Sequence, residues 1–305
     1  MRELIKARAD FLAAIRAFFA ARAVLEVDTP LLAPYGNPDP QLGNLRSSDG
    51  GYLQTSPEFA MKMLLSRGSG DIYQLGHVFR ADEHGRRHRR EFLLLEWYRC
   101  GWDHERLMAE VVELVWELVP RLADRPVRRL DYDDLFRERF GLAPAELDDE
   151  ALRALGTAWA GQALDLNRDG QLDLLFSLAL QPSLGAGTLD FVQHYPPSQA
   201  ALARLVQVKG QSRAARFELF VDGLELCNGF WELTDAAEQG ERFAAENRRR
   251  RAEGLDEVPA DPRLLAALAR GLPDCAGVAL GVERLLMLAR GVEDIGAVGY
   301  NFPDN

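Results

Sequence analysis

Apolar and charged positions alternate at helical spacing over residues 3–22, where Leu4, Ile5, Ala9, Leu12, Ile15, Phe18 and Phe19 repeat with the period of an amphipathic helix. The run from Val24 to Leu32 reads as a strand ended by Pro30, which has no N–H to give to a sheet. Residues 31–51 are rich in Pro, Gly, Asn and Asp and read as a loop. A helix is expected from Phe59 to Ser66, with Ser56 or Thr55 as its N-cap and Pro57 at its first helical position. Strand, loop and strand follow between Ile72 and Arg99, then an amphipathic helix over 104–119. Residues 120–188 read as mostly helical, an insertion packed on the core. Strands return at Leu189 to Tyr195 and at Arg216 to Phe230, a charged helix covers 235–253, and a last strand enters a helix from Glu283 to Arg290.

Composition narrows the classes of function. The chain has 305 residues and 47% hydrophobic content, enough for a sizeable core. It holds no apolar run of about 18 residues, the least a membrane span needs, and its N-terminus, Met1-Arg2-Glu3-Leu4, reads as alternating charge rather than as a signal peptide, so no leader is expected. Cys100, Cys227 and Cys275 lack metal-ligand spacing and suit a reducing cytoplasm. A net charge of −11 argues against a general nucleic-acid binder, because phosphate affinity comes from neutralisation by Lys and Arg. The arginine clusters at 86–90, 128–129 and 248–251 are the local exceptions.

One hairpin carries candidate chemistry on periodicity alone. Asp222-Gly223 is a two-residue turn signal that matches strand twist. Around it, Phe220 faces Glu225, and two-residue alternation puts Glu218 on that same face. Two carboxylates converging diagonally repel unless a cation lies between them, and Mg²⁺ with nucleotide phosphates is a natural occupant. Two solvated glutamates on an exposed strand are the alternative. Asp165 to Asp173 fits the first nine positions of an EF-hand loop, but Phe176 stands where the bidentate glutamate belongs, so a polar loop is expected there.

Two longer segments resemble a known family. Ile72-Tyr73-Gln74-Leu75-Gly76-His77-Val78-Phe79-Arg80, continuing to Glu91-Phe92-Leu93-Leu94-Leu95-Glu96-Trp97-Tyr98-Arg99, is similar to motif 2 of the class II aminoacyl-tRNA synthetases of lysyl type. Gly277-Val278-Ala279-Leu280-Gly281-Val282-Glu283-Arg284-Leu285 is similar to motif 3, and the N-terminal helix, strand and proline to motif 1, the dimer element. The resemblance implies an α+β class II catalytic fold, an antiparallel sheet flanked by helices. It implies one catalytic domain over 1–305 with the mainly helical insertion at about 120–188, and no anticodon-binding domain. It also implies roles by position. Arg80 and Arg284 would be catalytic, and Arg80, Asp82, His88, Phe92 and Arg284 would bind ATP. Glu218 and Glu225 would hold Mg²⁺. Ser56, Glu58, Glu96, Tyr98, Asn228, Phe230, Glu232 and Ala279 would bind the amino acid. The chemistry is coherent, since a substrate with two amines needs separated acidic anchors and a phosphate under attack needs a fixed guanidinium. Two departures stand out: Arg89-Arg90 replaces Asn-Pro, and Arg80-Ala81-Asp82 replaces Arg-Asn-Glu.

The segments Phe191-Val192-Gln193-His194-Tyr195-Pro196-Pro197-Ser198-Gln199 and Leu272-Pro273-Asp274-Cys275-Ala276 sharpen the resemblance to the elongation factor P β-lysine ligases, truncated relatives of the lysyl synthetases. Ala279 stands where those synthetases have glycine, and its methyl suits an amine moved to the β-carbon. What this implies is a cytoplasmic homodimer that uses ATP and Mg²⁺ to activate (R)-β-lysine or lysine and transfers it to elongation factor P, with no membrane and no tRNA as partner. A stand-alone adenylate-forming enzyme and a non-catalytic regulatory paralogue are the rival readings.

Overall fold

The computed structural model describes residues 1–299, which form two compact units: Met1–Ala123 with the residues from Glu232 onward, and Asp124–Trp231.

In the first unit the alternation over the N-terminus gives the helix Arg2–Ala20, which buries Phe11, Ile15, Phe18 and Phe19. Phe19 stacks on Tyr73 at 4.4 Å and meets Trp97 edge-on at 5.4 Å. Strands Ile72–Phe79 and Glu91–Cys100 pair antiparallel from Ile72↔Tyr98 to Phe79↔Glu91. Strand Cys275–Gly281 pairs antiparallel along the other edge of Glu91–Cys100, from Cys275↔Cys100 to Gly281↔Leu94. Side chains alternate between faces, so each residue here has a fixed outlook. Tyr73, Leu75, Leu95, Trp97 and Val278 share the face against which Phe19 packs. Gln74, Gly76, Glu96, Tyr98, Gly277, Ala279 and Gly281 share the other.

Several sequence expectations shift. The strand expected from Val24 to Leu32 is ladder-paired at Leu25–Glu26, parallel to Ile72 and Tyr73, and again only at its last residue, Leu32, which opens a separate short antiparallel ladder, Leu32–Ala33 with Tyr52–Leu53. Beyond Glu26 the Thr29 N–H donates to the Gln74 side chain at 3.0 Å and Pro30 has no N–H, so the first ladder cannot continue. The helix after it is Glu58–Leu65, and its N-cap is Pro57, neither Ser56 nor Thr55. Helix His104–Leu118 starts at Asp103, whose carboxylate accepts from the Arg106 N–H at 2.8 Å. Helix Pro262–Gly271, which the sequence pattern did not single out, is capped in the same way by Asp261.

The strands of the second unit run in the order Leu224–Trp231, Gln211–Val221, Leu189–Tyr195, Val127–Asp131, with Leu205–Val208 also on Gln211–Val221. Strand Val127–Asp131 lies within the stretch expected to be mostly helical and runs parallel to Leu189–Tyr195. The core here is aromatic, with Tyr132 stacked on Phe136 at 4.9 Å and on Phe176 at 5.5 Å. The calcium-loop look-alike is not a loop throughout. Asn167 caps the helix Arg168–Leu175, accepting from the Gly170 N–H at 2.9 Å, and Leu172 and Leu175 are buried. Spacing of acids mimicked a ligand loop where an N-cap and an apolar face were being set.

Candidate active site

On the open face of the first unit's sheet, buried carboxylates gather. Glu96 is 2% exposed, and its oxygens accept from the Tyr98 hydroxyl at 2.8 Å and the Ser56 hydroxyl at 2.6 Å. Ser56 also accepts from the Glu58 N–H at 3.0 Å, which fixes the start of helix Glu58–Leu65 against the strand. One turn along that helix, the Lys62 ammonium lies 2.7 Å from Glu58 and 2.6 Å from Glu232. Burial pushes the Glu96 carboxyl up to about 8, and the neighbouring Glu58 and Glu232 add to the shift. Burial works against the Lys62 charge, but Glu232 and Glu58 outweigh it and hold the ammonium above the ordinary lysine range. Three carboxylates and one ammonium therefore share a buried space, with negative charge in excess.

Small residues make that space. Ala279 lies directly across from Glu96 and Gly277 across from Tyr98. A Cβ on Gly277 would fall 2.3 Å from the Tyr98 ring and 2.6 Å from the Glu232 carboxylate, so only glycine lets the two converge. Of the amino-acid residues read from sequence, this unit brings together Ser56, Glu58, Glu96, Tyr98, Glu232 and Ala279.

A cationic cluster forms at the other end of the same strands. The Arg80 Nε donates to the Thr55 carbonyl at 3.3 Å and its guanidinium lies 5.2 Å from the centre of the Phe92 ring. Glu83 sits 3.6 Å from Arg80 and 3.5 Å from His88. Burial lowers the pKa of His88, and the fields of Arg284, Arg87 and Arg80 lower it further against Glu83. Three guanidiniums thus surround an imidazole that their fields keep neutral, with Phe92 beneath Arg80. Asp82 packs against Gly43, where an added Cβ would fall 2.1 Å from its carboxylate. Arg284 stands in the first turn of helix Val282–Arg290, whose Glu283 anchors it by pairing with Arg8 at 2.6 Å and accepting from the Leu93 N–H at 3.0 Å.

In the second unit, the Asp222-Gly223 turn has φ of 51° and 72°, the doubly positive conformation that a two-residue hairpin requires. Glu225 pairs with Phe220 as periodicity expects, but a bulge follows, so Asn228 rather than Cys227 faces Glu218 and Phe230 faces Arg216. Strict alternation would turn Asn228 and Phe230 away from Glu225. The extra residue reverses that parity and puts Glu218, Glu225, Asn228 and Phe230 on one face. Glu218 is held by Arg216 at 2.5 Å and the Tyr195 hydroxyl at 2.7 Å, and its pKa is raised by burial, with Glu225 adding to the rise against Arg216.

Lys62, Glu83 and Arg216 were not among the residues read from sequence. For Lys62 there was a signal: a single lysine inside Ala60-Met61-Lys62-Met63-Leu64-Leu65, four residues after a glutamate. A lysine in an apolar run is rarely buried unless paired.

Residues 1–305 match the family of tRNA synthetases class II (D, K and N). Proteins named elongation factor P–(R)-β-lysine ligase from Salmonella typhimurium, Salmonella enteritidis and Salmonella choleraesuis are each 43% identical across 95% of this chain and 92% of theirs. The α+β architecture, with its largely antiparallel strands, its motif 2 hairpin and its motif 3 strand entering a helix, is that of the class II synthetases, and the chain belongs to the class II tRNA synthetase family of the D, K and N type.

Proposed function

We propose that this protein is an ATP-dependent ligase that activates (R)-β-lysine, or lysine, as its adenylate and transfers it to the ε-amine of a lysine on elongation factor P. The observation that carries the reading is the buried acidic excess of Glu58, Glu96 and Glu232 around one lysine. Buried charge is costly unless compensated, so a site built this way calls for a cationic ligand. The relatives' name supplies the partner and the β-isomer.

The chemistry follows from the two clusters of the first unit. The substrate carboxylate attacks the α-phosphorus of ATP, a P–O bond forms, and the bond to pyrophosphate breaks. Negative charge grows on the phosphate oxygens, and Arg80, pre-fixed by Thr55, stabilises it without reorganising. Arg284 and His88 take the terminal phosphates, Phe92 stacks on adenine, and Asp82 is assigned to the adenine edge. In the second step the acceptor amine attacks the activated carbonyl and AMP leaves, so no nucleophile on the enzyme is needed.

The Glu218 and Glu225 pair fits Mg²⁺: both donors are carboxylate oxygens, they share a face, and the charge of Glu225 raises the pKa of Glu218. When bound there, Mg²⁺ supplies charge neutralisation to nucleotide phosphates. Arg216 and Tyr195 orient the Glu218 carboxylate. A homodimer built on the motif 1 region is supported by exposed apolar side chains there, Ile5, Leu25, Leu31 and Leu32. No helix among the described residues is long and apolar enough to cross a membrane.

The test is incubation of the enzyme with ATP, (R)-β-lysine and elongation factor P, followed by intact mass of the acceptor. A gain of one β-lysyl group, lost with an acceptor that lacks its target lysine, is expected. Adenylate formation without acceptor modification would favour a stand-alone adenylate-forming enzyme, and absence of both would favour a non-catalytic paralogue.

A further inference from the structure

We infer that Lys62 is a built-in counter-ion that sets the pocket's charge, so that a fitting amino acid must bring two ammonium groups rather than one. The inference rests on the reading above and deepens it. Lys62 is 1% exposed and divides its ammonium between Glu58 at 2.7 Å and Glu232 at 2.6 Å. Glu96 takes no part in that pairing and, among the described residues, receives two neutral donors, the hydroxyls of Ser56 and Tyr98. Three ionised carboxylates against one ammonium leave a surplus of two negative charges, the number that the two ammonium groups of a diamino acid neutralise while its carboxylate is directed to Arg80. Without Lys62 the surplus would be three, more than such a ligand can match. With a ligand carrying one amine, one negative charge would stay buried and unmatched, which is strongly disfavoured.

The groups facing Glu96 are known from each side. Glu58 and Lys62 come from helix Glu58–Leu65, Ser56 from just before it, Glu232 from the residue where the chain re-enters the first unit, Gln74 and Ala279 from the flanking strands, and Tyr98 from its own strand. Apart from Lys62, none of them is a cation. The empty pocket halves its surplus by keeping a proton on Glu96. Binding of a diamino acid then breaks the Glu96 O–H bond and passes the proton to buffer. The carboxylate left behind pairs with the incoming ammonium.

The experiment is calorimetric titration of the full-length enzyme at neutral pH in buffers of differing ionisation enthalpy. The ligands are (R)-β-lysine, L-lysine and a β-amino acid of the same length without the terminal amine. The proteins are wild type, Lys62→Arg, Lys62→Met, and Lys62→Met combined with Glu232→Gln. Wild type is expected to release protons on binding either diamino acid and to bind the monoamine at least about 30-fold more weakly. Lys62→Arg should keep the proton count. Lys62→Met should bind the diamino acids at least about 30-fold more weakly and release more protons, because another carboxylate in the empty pocket must now be protonated. The double variant removes one cation and one anion. It should fold and restore the wild-type proton count even where Lys62→Met alone does not fold.

Wild-type proton count and selectivity in Lys62→Met would overturn the role of Lys62 while leaving the lysine reading intact. So would a double variant that folds but keeps an altered count. Failure of wild type to bind either diamino acid would overturn the functional reading, and the inference with it.

Discussion

On one face of strand Glu91–Cys100, Arg99 meets Asp71 at 2.9 Å and Glu110 at 3.2 Å, and Glu110 also accepts from the Trp97 indole at 2.9 Å. On the opposite face, Glu96 meets two hydroxyls and two more carboxylates. Both faces bury charge. The first closes its account internally, with Arg22 adding a second cation 3.9 Å from Glu110. The second leaves negative charge over. A strand can thus carry a structural ion network and a binding site one residue apart, because alternation keeps them on separate faces. Charge balance, rather than burial, tells the two apart.

The largest expected effect lies on the balanced face. Glu110→Gln leaves Arg99 and Arg22 with one carboxylate fewer, and loss of one partner from a buried pair costs about 3–5 kcal/mol of stability. Chemical denaturation should show that loss, while activity per folded molecule stays near wild type. Glu96→Gln should do the reverse. Near neutral pH the amide resembles the protonated acid of the empty pocket, so stability should change by less than about 0.5 kcal/mol. Lysine-dependent ATP–pyrophosphate exchange should fall by about 2–4 kcal/mol in transition-state terms, read from kcat/KM. Equal stability losses in the two variants would erase the distinction between the faces.

Gly277→Ala sharpens it further. The new methyl meets the Tyr98 ring and Glu232 well inside contact distance. A loss of about 1–3 kcal/mol of stability is expected, with KM for lysine rising as Tyr98 is displaced.

The pH dependence has a fixed sign. Glu96 titrates near 4.5 in the unfolded chain and about 8 in the folded one, so the folded state keeps its proton longer. Its contribution to the stability of the empty enzyme is therefore full below pH 4.5 and is lost as pH rises towards 8. Diamino-acid affinity should move the opposite way, rising by up to about tenfold per pH unit below that pKa. Glu246, also pushed up to about 8 by burial and by Asp39, adds to the stability trend, and Glu246→Gln separates its share. The smallest effect is expected for Ala279→Gly, which removes the methyl opposite Glu96. It should relax the preference for the β-isomer by about tenfold, the low end of what one methyl discriminates.

Much of this was legible in the chain. The helical alternation of residues 3–22, the Asp222-Gly223 turn and the strands of the motif 2 hairpin all appear where their patterns put them. Local chemistry determines each of these. What periodicity could not show depends on a single inserted residue or on contacts distant in sequence. The bulge after Glu225 changes which side chains share a face, and nothing in Leu226-Cys227 marks it. The Lys62 pairing needs Glu232, 170 residues away, and only the fold brings the two within 2.6 Å. The short Leu25–Glu26 strand reflects a side chain, Gln74, taking a backbone donor that a ladder would have used.

The most direct test of the acidic surplus is ATP–pyrophosphate exchange with (R)-β-lysine, L-lysine and the β-amino acid lacking the terminal amine, run in parallel. Exchange with the diamino acids, strongest for (R)-β-lysine, and at least about 30-fold less with the monoamine is the result the surplus predicts. Equal exchange with the monoamine would mean that Glu58, Glu96 and Glu232 do not read the second ammonium, and would contradict the account at its centre.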